Sequence, residues 1–167
     1  MRQFFAGVIV TVLVIVIGGY LVLRRGYINF NADAPLLPFE KKIAMQASDA
    51  STDRHAPEIK NPLTPTDETM LAGARLYREH CAGCHGDPVH PDLVLGHSFN
   101  PPAPQFMTDM ADMPDHQNFY IIQHGIRWTG MPAWKNTLND TETWQVVTFL
   151  GNTEKLPPAV VDEFKKP

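Results

Sequence analysis

Cys81-Ala82-Gly83-Cys84-His85-Gly86 is the stretch on which the reading of this chain turns. Two thiols three residues apart lie about one helical turn from each other, and a histidine follows the second directly. C-x-x-C-H is the attachment signature of c-type haem: two thiols add to the two vinyl groups of one porphyrin, and the adjacent histidine then lies beneath the iron. Cys81 and Cys84 are the only cysteines, so a multi-disulfide secreted scaffold is excluded. A zinc site is the serious rival, because Cys84 and His97 have twelve residues between them. The next histidine, His116, lies far outside the expected gap of three to five, and no second cysteine pair exists. A thioredoxin-like redox pair would need a preceding strand in a βαβ pattern, whereas the preceding segment reads as helix.

Upstream of the motif, Thr66 is a cap for a helix whose first turn holds Asp67 and Glu68. Met70, Gly73, Ala74, Tyr77 and Cys81 then fall on one helical face that leads to the thiols. Downstream, residues 86–114 read as irregular and proline-rich. Asp115 is placed to cap a helix running to His124, with Gly125 as its stop. Asn139 stands three residues before Glu142, a variant of the capping box, and opens a last helix ending near Leu150. Residues 66–156 thus form an all-helical unit, small enough to need a large buried macrocycle to complete its core.

An electron-carrying iron needs a second axial ligand, and methionine sulfur opposite histidine raises its potential. Among seven methionines, Met131 is the choice. In Thr129-Gly130-Met131-Pro132-Ala133-Trp134 a small residue before it permits close approach and a proline after it fixes the backbone. Met107, Met110 and Met113 lie in a more acidic loop and read as packing residues. Arg127, one of few cations nearby, is a candidate for a haem propionate, with a surface arginine as the alternative. Trp128 and Trp134 flank the methionine and fit haem packing, with an electron path as the second reading. His90, His97, His116 and His124 lack ligand spacing, and Asp109, Asp112 and Asp115 read as a solvated face.

Residues 4–23 are free of charge and proline for 20 positions, about 30 Å as a helix, which is the thickness of a hydrocarbon core. They read as an uncleaved single-pass anchor rather than a signal peptide, since no A-x-A-like site follows directly. Residues 26–65 read as a linker with a short helix over 38–54, in which Phe39, Ile43, Ala47 and Ala50 share a face. That stripe is mostly alanine, so a spacer is favoured over a helix docked on the domain or on a membrane partner. Residues 157–167 read as a tail. Arg2, Arg24 and Arg25 bracket the anchor, leaving 11 of the 14 basic residues against all 18 acids from residue 26 onward, a net of −7. Nucleic acid is therefore not the expected partner.

Gly73-x-x-Leu76-Tyr77-x-x-His80-Cys81-Ala82-x-Cys84-His85-Gly86, with Gly130-Met131-Pro132-Ala133-Trp134, resembles the class I cytochrome c family, in particular its membrane-anchored monohaem bacterial members. The resemblance covers about residues 73–150. It implies an all-α fold around one covalent haem c, preceded here by the transmembrane helix. It implies that the first and last helices of the domain cross, so that Gly73 and Tyr77 meet Trp144 or Phe149. It implies that a proline carbonyl after the motif accepts the Nδ1 proton of His85; of Pro101, Pro102 and Pro104, Pro102 is chosen. It further implies maturation on the periplasmic side of the cytoplasmic (inner) membrane, which places the haem domain outside where the positive-inside rule does not decide. The function expected is one-electron transfer rather than catalysis, with membrane redox complexes as donor and acceptor and lipid around the anchor. A haem sensor or enzyme with a labile sixth ligand, or a fixed subunit of a larger membrane complex, are the alternatives.

Overall fold

The computed structural model describes residues 1–35 and 37–166, is all-helical, and contains no strand among them. The chain divides into two units, residues 1–34 and residues 35 onward. The first is α1 (Arg2–Arg24), 23 residues long and about 35 Å at 1.5 Å per residue. None of its side chains is buried within the unit, so its apolar surface is exposed. It is a candidate membrane span.

The second unit contains α2 (Glu40–His55), α3 (Asp67–His80), α4 (Ala82–His85), α5 (Val94–His97), α6 (Asp115–His124), α7 (Asp140–Leu150), a 3₁₀ turn (Thr153–Lys155) and α8 (Pro158–Glu163). Two of the three caps expected from the sequence form. Thr66 Oγ1 accepts from the Thr69 N–H, and Asn139 and Glu142 close a reciprocal capping box. Asp115 begins α6 but does not cap it; its carboxylate accepts from Asn61 Nδ2 at 2.9 Å instead.

The core is built where α3 crosses α7. Gly73 makes the crossing possible: a Cβ there would stand 2.1 Å from the Gln145 carbonyl oxygen and 2.9 Å from Phe149 Cβ. Tyr77, one turn on, is fully buried with its ring 4.9 Å from that of Phe149. Trp144 turns instead to Phe119 of α6, stacking at 4.2 Å.

Two boundaries expected from the sequence are corrected. Residues 157–166, expected as part of a tail, pack on the domain; Pro167 lies outside the described residues. Val160 and Phe164 are buried in the core, the Phe164 ring lies 5.8 Å from Phe149, and Glu163 pairs with Arg75 at 3.4 Å and Arg78 at 3.5 Å. The segment carries too few residues to show a period, so its apolar face goes unseen in the pattern. Within the expected linker, residues 40–65 are likewise not simply a spacer. α2 begins at Glu40, after Phe39 in a left-handed conformation, and packs on α6 with Thr52 buried and Gln117 Nε2 donating to Asp53 Oδ1 at 2.8 Å. Asn61 then ties the following segment to Asp115 and to Thr148 Oγ1.

Two outcomes follow from this packing. Gly73→Ala should lower the unfolding free energy of the holoprotein by about 1–3 kcal/mol, because backbone rather than a flexible side chain opposes the new methyl. Gly83→Ala, whose Cβ would meet nothing within 4 Å, should stay within about 0.5 kcal/mol of wild type in the same denaturant titration. Separately, Lys166 hydrogen-bonded to Glu163, with Arg75 beside it, holds that carboxyl below its ordinary value against the opposing effect of burial. Its contribution to stability is complete above the ordinary glutamate pKa of 4.5 and is lost as pH falls through the lower folded-state value. Glu163→Gln should therefore flatten the acid limb of a stability-against-pH curve; superimposable limbs would refute the linkage.

Candidate haem site

The thiols sit where α3 hands over to α4. The Cys81 N–H closes α3 on the Tyr77 carbonyl at 2.8 Å, and the Cys81 carbonyl then accepts from Cys84 N and His85 N, both at 3.0 Å. Those two bonds wind the turn that presents Cys81, Cys84 and His85 together. Gly86 ends it at φ 73, with a Cβ position 2.8 Å from the Pro91 carbonyl, so a side chain there meets both strain and a clash. The Tyr77 hydroxyl donates to the Gly86 carbonyl at 2.8 Å and lies 3.3 Å from that of His85. Burial above all, with Cys81 and Asp87 adding, pushes the Tyr77 phenol above its ordinary value and keeps it a donor.

His85 is held from its far side. Its Nδ1 donates to the Pro104 carbonyl at 2.8 Å; a carbonyl only accepts, so the ring proton is on Nδ1 and Nε2 keeps its lone pair. Burial lowers the His85 pKa, outweighing the Pro104 bond, so the imidazole is neutral at neutral pH and fit to ligate. The Phe106 ring stacks on it at 4.8 Å and 21°, while Phe106 N donates to the His85 carbonyl at 3.3 Å.

This corrects the choice of Pro102. The buried amide of Gln105 decides which carbonyl faces the ring. Its Nε2 donates to the Cys84 carbonyl at 2.9 Å and the Ala103 carbonyl at 3.0 Å, and its Oε1 accepts from Leu93 N at 2.9 Å. Gly96 leaves room for that amide, since a Cβ there would stand 2.2 Å from Nε2. Residues 103–106 are thereby pinned against the motif, and Pro102 lies exposed outside the pinned segment.

Met131 is set by a second pinned loop. Its N–H donates to Thr129 Oγ1 and its carbonyl accepts from Ile126 N, both at 3.1 Å, and Trp134 N donates to the Ile122 carbonyl at 3.0 Å. Gly125, at φ 66, admits the close return: a Cβ would be 2.7 Å from the Met131 carbonyl oxygen. Gly130 lies under the Phe99 ring, 2.5 Å from where its Cβ would be. Cys81, Phe106, Met107, Met131 and Trp134 are all partly buried against one core. Trp128 is not brought there. It is 93% exposed at φ 61, and Trp134 takes the packing role, 5.1 Å from the His80 ring. Arg127 is exposed and forms no ion pair among the described residues. His90 and His97 face separate carboxylates, Asp87 and Asp92.

The donor set fits haem c better than a metal thiolate or a redox pair. Burial first, then the neighbouring Cys84, pushes the Cys81 thiol up to about 12. A redox nucleophile needs the thiolate that this site disfavours, a structural zinc needs four ligands where no group of three or more His, Cys, Asp or Glu that could hold a metal occurs among the described residues, and a thioether carries no charge.

Residues 68–150 match the family model described as cytochrome c oxidase, cbb3-type, subunit III. This segment is a c-type cytochrome domain. No significant match was found among curated proteins or solved structures. The cytochrome domain is an electron-transfer module, and haem c is the cofactor that its cysteine pair and histidine imply.

Sequence reasoning missed Gln105 and Phe106. A lone amide in a proline-rich loop carries no period, and only the Phe among polar neighbours hinted at an inward-facing position. Gln105→Leu preserves volume but leaves the Leu93 N–H and the Cys84 and Ala103 carbonyls without that partner. It should cost about 2–3 kcal/mol in denaturant unfolding of the cytochrome domain, and Tyr77→Phe about 1–2 kcal/mol.

Proposed function

We propose that the domain holds one haem c through thioethers to Cys81 and Cys84, with His85 and Met131 as axial ligands, and that it carries single electrons. The observation that supports this most directly is the neutral His85 ring, fixed through Nδ1 and Phe106, in the turn that presents both thiols. Bound haem supplies the one-electron couple of its iron. The chain's own work is to keep Nε2 unprotonated, hold the Met131 segment by the bonds to Thr129 and Ile126, and exclude water behind Phe106 and Trp134. A methionine opposite a histidine favours the reduced iron and so a higher potential.

In this reading α1 stays in the inner membrane as a single-pass anchor, the cytochrome domain lies on the periplasmic side, and membrane redox complexes give and take its electrons. The matched family's description names an oxidase subunit, which supports a membrane oxidase complex as partner and a place as one of its subunits as the second reading.

The experiment combines covalency with ligation. Wild-type protein should retain peroxidase-active haem on a denaturing gel at one haem per chain, and Cys81→Ala with Cys84→Ala should retain none. The reduced wild type should bind carbon monoxide poorly at neutral pH, whereas Met131→Ala should bind it readily, turn high-spin and fall in potential. Rapid carbon monoxide binding by the unmodified protein would support a sensor or enzyme instead.

A further inference from the structure

The apolar stripe of α2 is not the face that packs. Ile43 and Thr52 are nine positions apart, which at 100° per residue puts them on opposite sides of the helix, about 180° apart. Thr52 and, just beyond the helix, Ala56 are buried on the α6 side. Phe39 at 74% and Ile43 at 65% are exposed on the other, as are Ala47 and Ala50. Leu37 and Met45 are also exposed, and with Phe39, Lys41 and Lys42 they line a shallow depression. Phe39 is held at φ 67, a costly conformation for a bulky residue, with its ring still in water.

We propose that this face lies in the interface of the membrane that carries α1, with Phe39 and Ile43 at the headgroup–acyl boundary and Lys42, about 100° round the helix from Ile43, on anionic headgroups. The proposal rests on reading α1 as a retained span. Three observations select lipid as the occupant. The large side chains are gathered at the end of α2 nearest the span in the chain, and the outward stripe dwindles to alanine away from it. The cations stand beside them in a chain that is otherwise acidic, and Glu40, the only acid in residues 34–48, already accepts a bond from Leu37 N at 2.8 Å. Finally, only residues 25–39, 15 residues, separate α1 from α2, with an r.m.s. span of about 20 Å if flexible. A patch too small to bind membrane alone then needs only intramolecular closure, and a second weak signal beside a first is how stable interfacial attachment arises.

The test uses full-length holoprotein in vesicles of phosphatidylglycerol and phosphatidylcholine, with a nitroxide on Ile43→Cys and, in a parallel sample, on Glu154→Cys, an exposed site on the 3₁₀ turn. The haem thioethers leave the introduced thiol as the one that labels. Oxygen collision relative to a water-soluble nickel chelate should be several-fold greater at position 43 than at 154, and should fall toward the value at 154 in pure phosphatidylcholine or with Lys42→Gln. Alkaline carbonate extraction of the same vesicles reads the span separately. Release of the protein overturns the span and this proposal with it. Retention with a label at 43 as aqueous as that at 154 overturns this proposal alone. A label that leaves water only when a partner membrane complex is added assigns the face to protein and likewise overturns it.

Discussion

Tyr77 joins the helical core to the C-x-x-C-H turn. Its ring is packed between Phe149 at 4.9 Å and Phe164 at 6.3 Å, and its hydroxyl reaches past them to the carbonyls of His85 and Gly86. The crossing at Gly73 brings α7 close enough for that stack, and α8 adds Phe164 from the other side. A phenol buried this completely must be hydrogen-bonded, and the Gly86 carbonyl, at the abrupt end of α4, needs a donor. Each requirement satisfies the other. The position of the thiols therefore depends on a helix crossing made well outside the site, which explains why a short motif in a proline-rich chain has a defined geometry.

The same burial sets the electrostatic character of the site. Groups beside the motif are driven toward their uncharged forms: the Cys81 thiol protonated, the Tyr77 phenol protonated, the His85 ring neutral. In a low-dielectric surrounding a fixed charge next to a centre that changes charge by one would be expensive in one of the two states. Dipoles that are already oriented, such as the Nδ1–H held by Pro104 and the carbonyls held by Gln105, need not turn when the charge changes. Small reorganisation is what a carrier asks of its protein. The buried paired carboxylate of the domain, Glu163, lies on α8 against Arg75 and Arg78 of α3, whereas the pairs that flank the turn, Glu79 with His80 and Asp87 with His90, each include a histidine.

The parts legible in the sequence were those governed by short-range rules. Thr66, Asn139 and Glu142 announced their caps because capping is a contact within three residues, and the face from Met70 to Tyr77 announced itself through its period. The motif was legible because covalent chemistry fixes its spacing. Long-range selection was not. Which of three proline carbonyls meets His85 is decided by Gln105 through bonds to residues 12 and 21 positions away, and no local pattern encodes that. The docking of α8 on α3 depends on Glu163 meeting Arg75 across 88 positions. Trp128, placed beside Met131 by the sequence, is 93% exposed with a left-handed backbone, and no local pattern announces that conformation for a bulky residue.

The helix that looked like a spacer changes the mechanical picture most. Had residues 26–65 been flexible, their r.m.s. span would be about 35 Å, wide enough for a domain that samples several neighbours. With α2 packed on α6 and Asn61 tied to Asp115, the stretch between α1 and the first packed helix of the domain is residues 25–39. Its span enters as the square root of length, so losing about two-thirds of the residues reduces reach by roughly 40%. The volume searched falls as the cube, to about a fifth. A short tether raises the effective concentration for one nearby acceptor while removing distant ones. Under the proposed reading of α1 as a retained anchor, such a tether favours repeated encounter with one close partner over wide sampling.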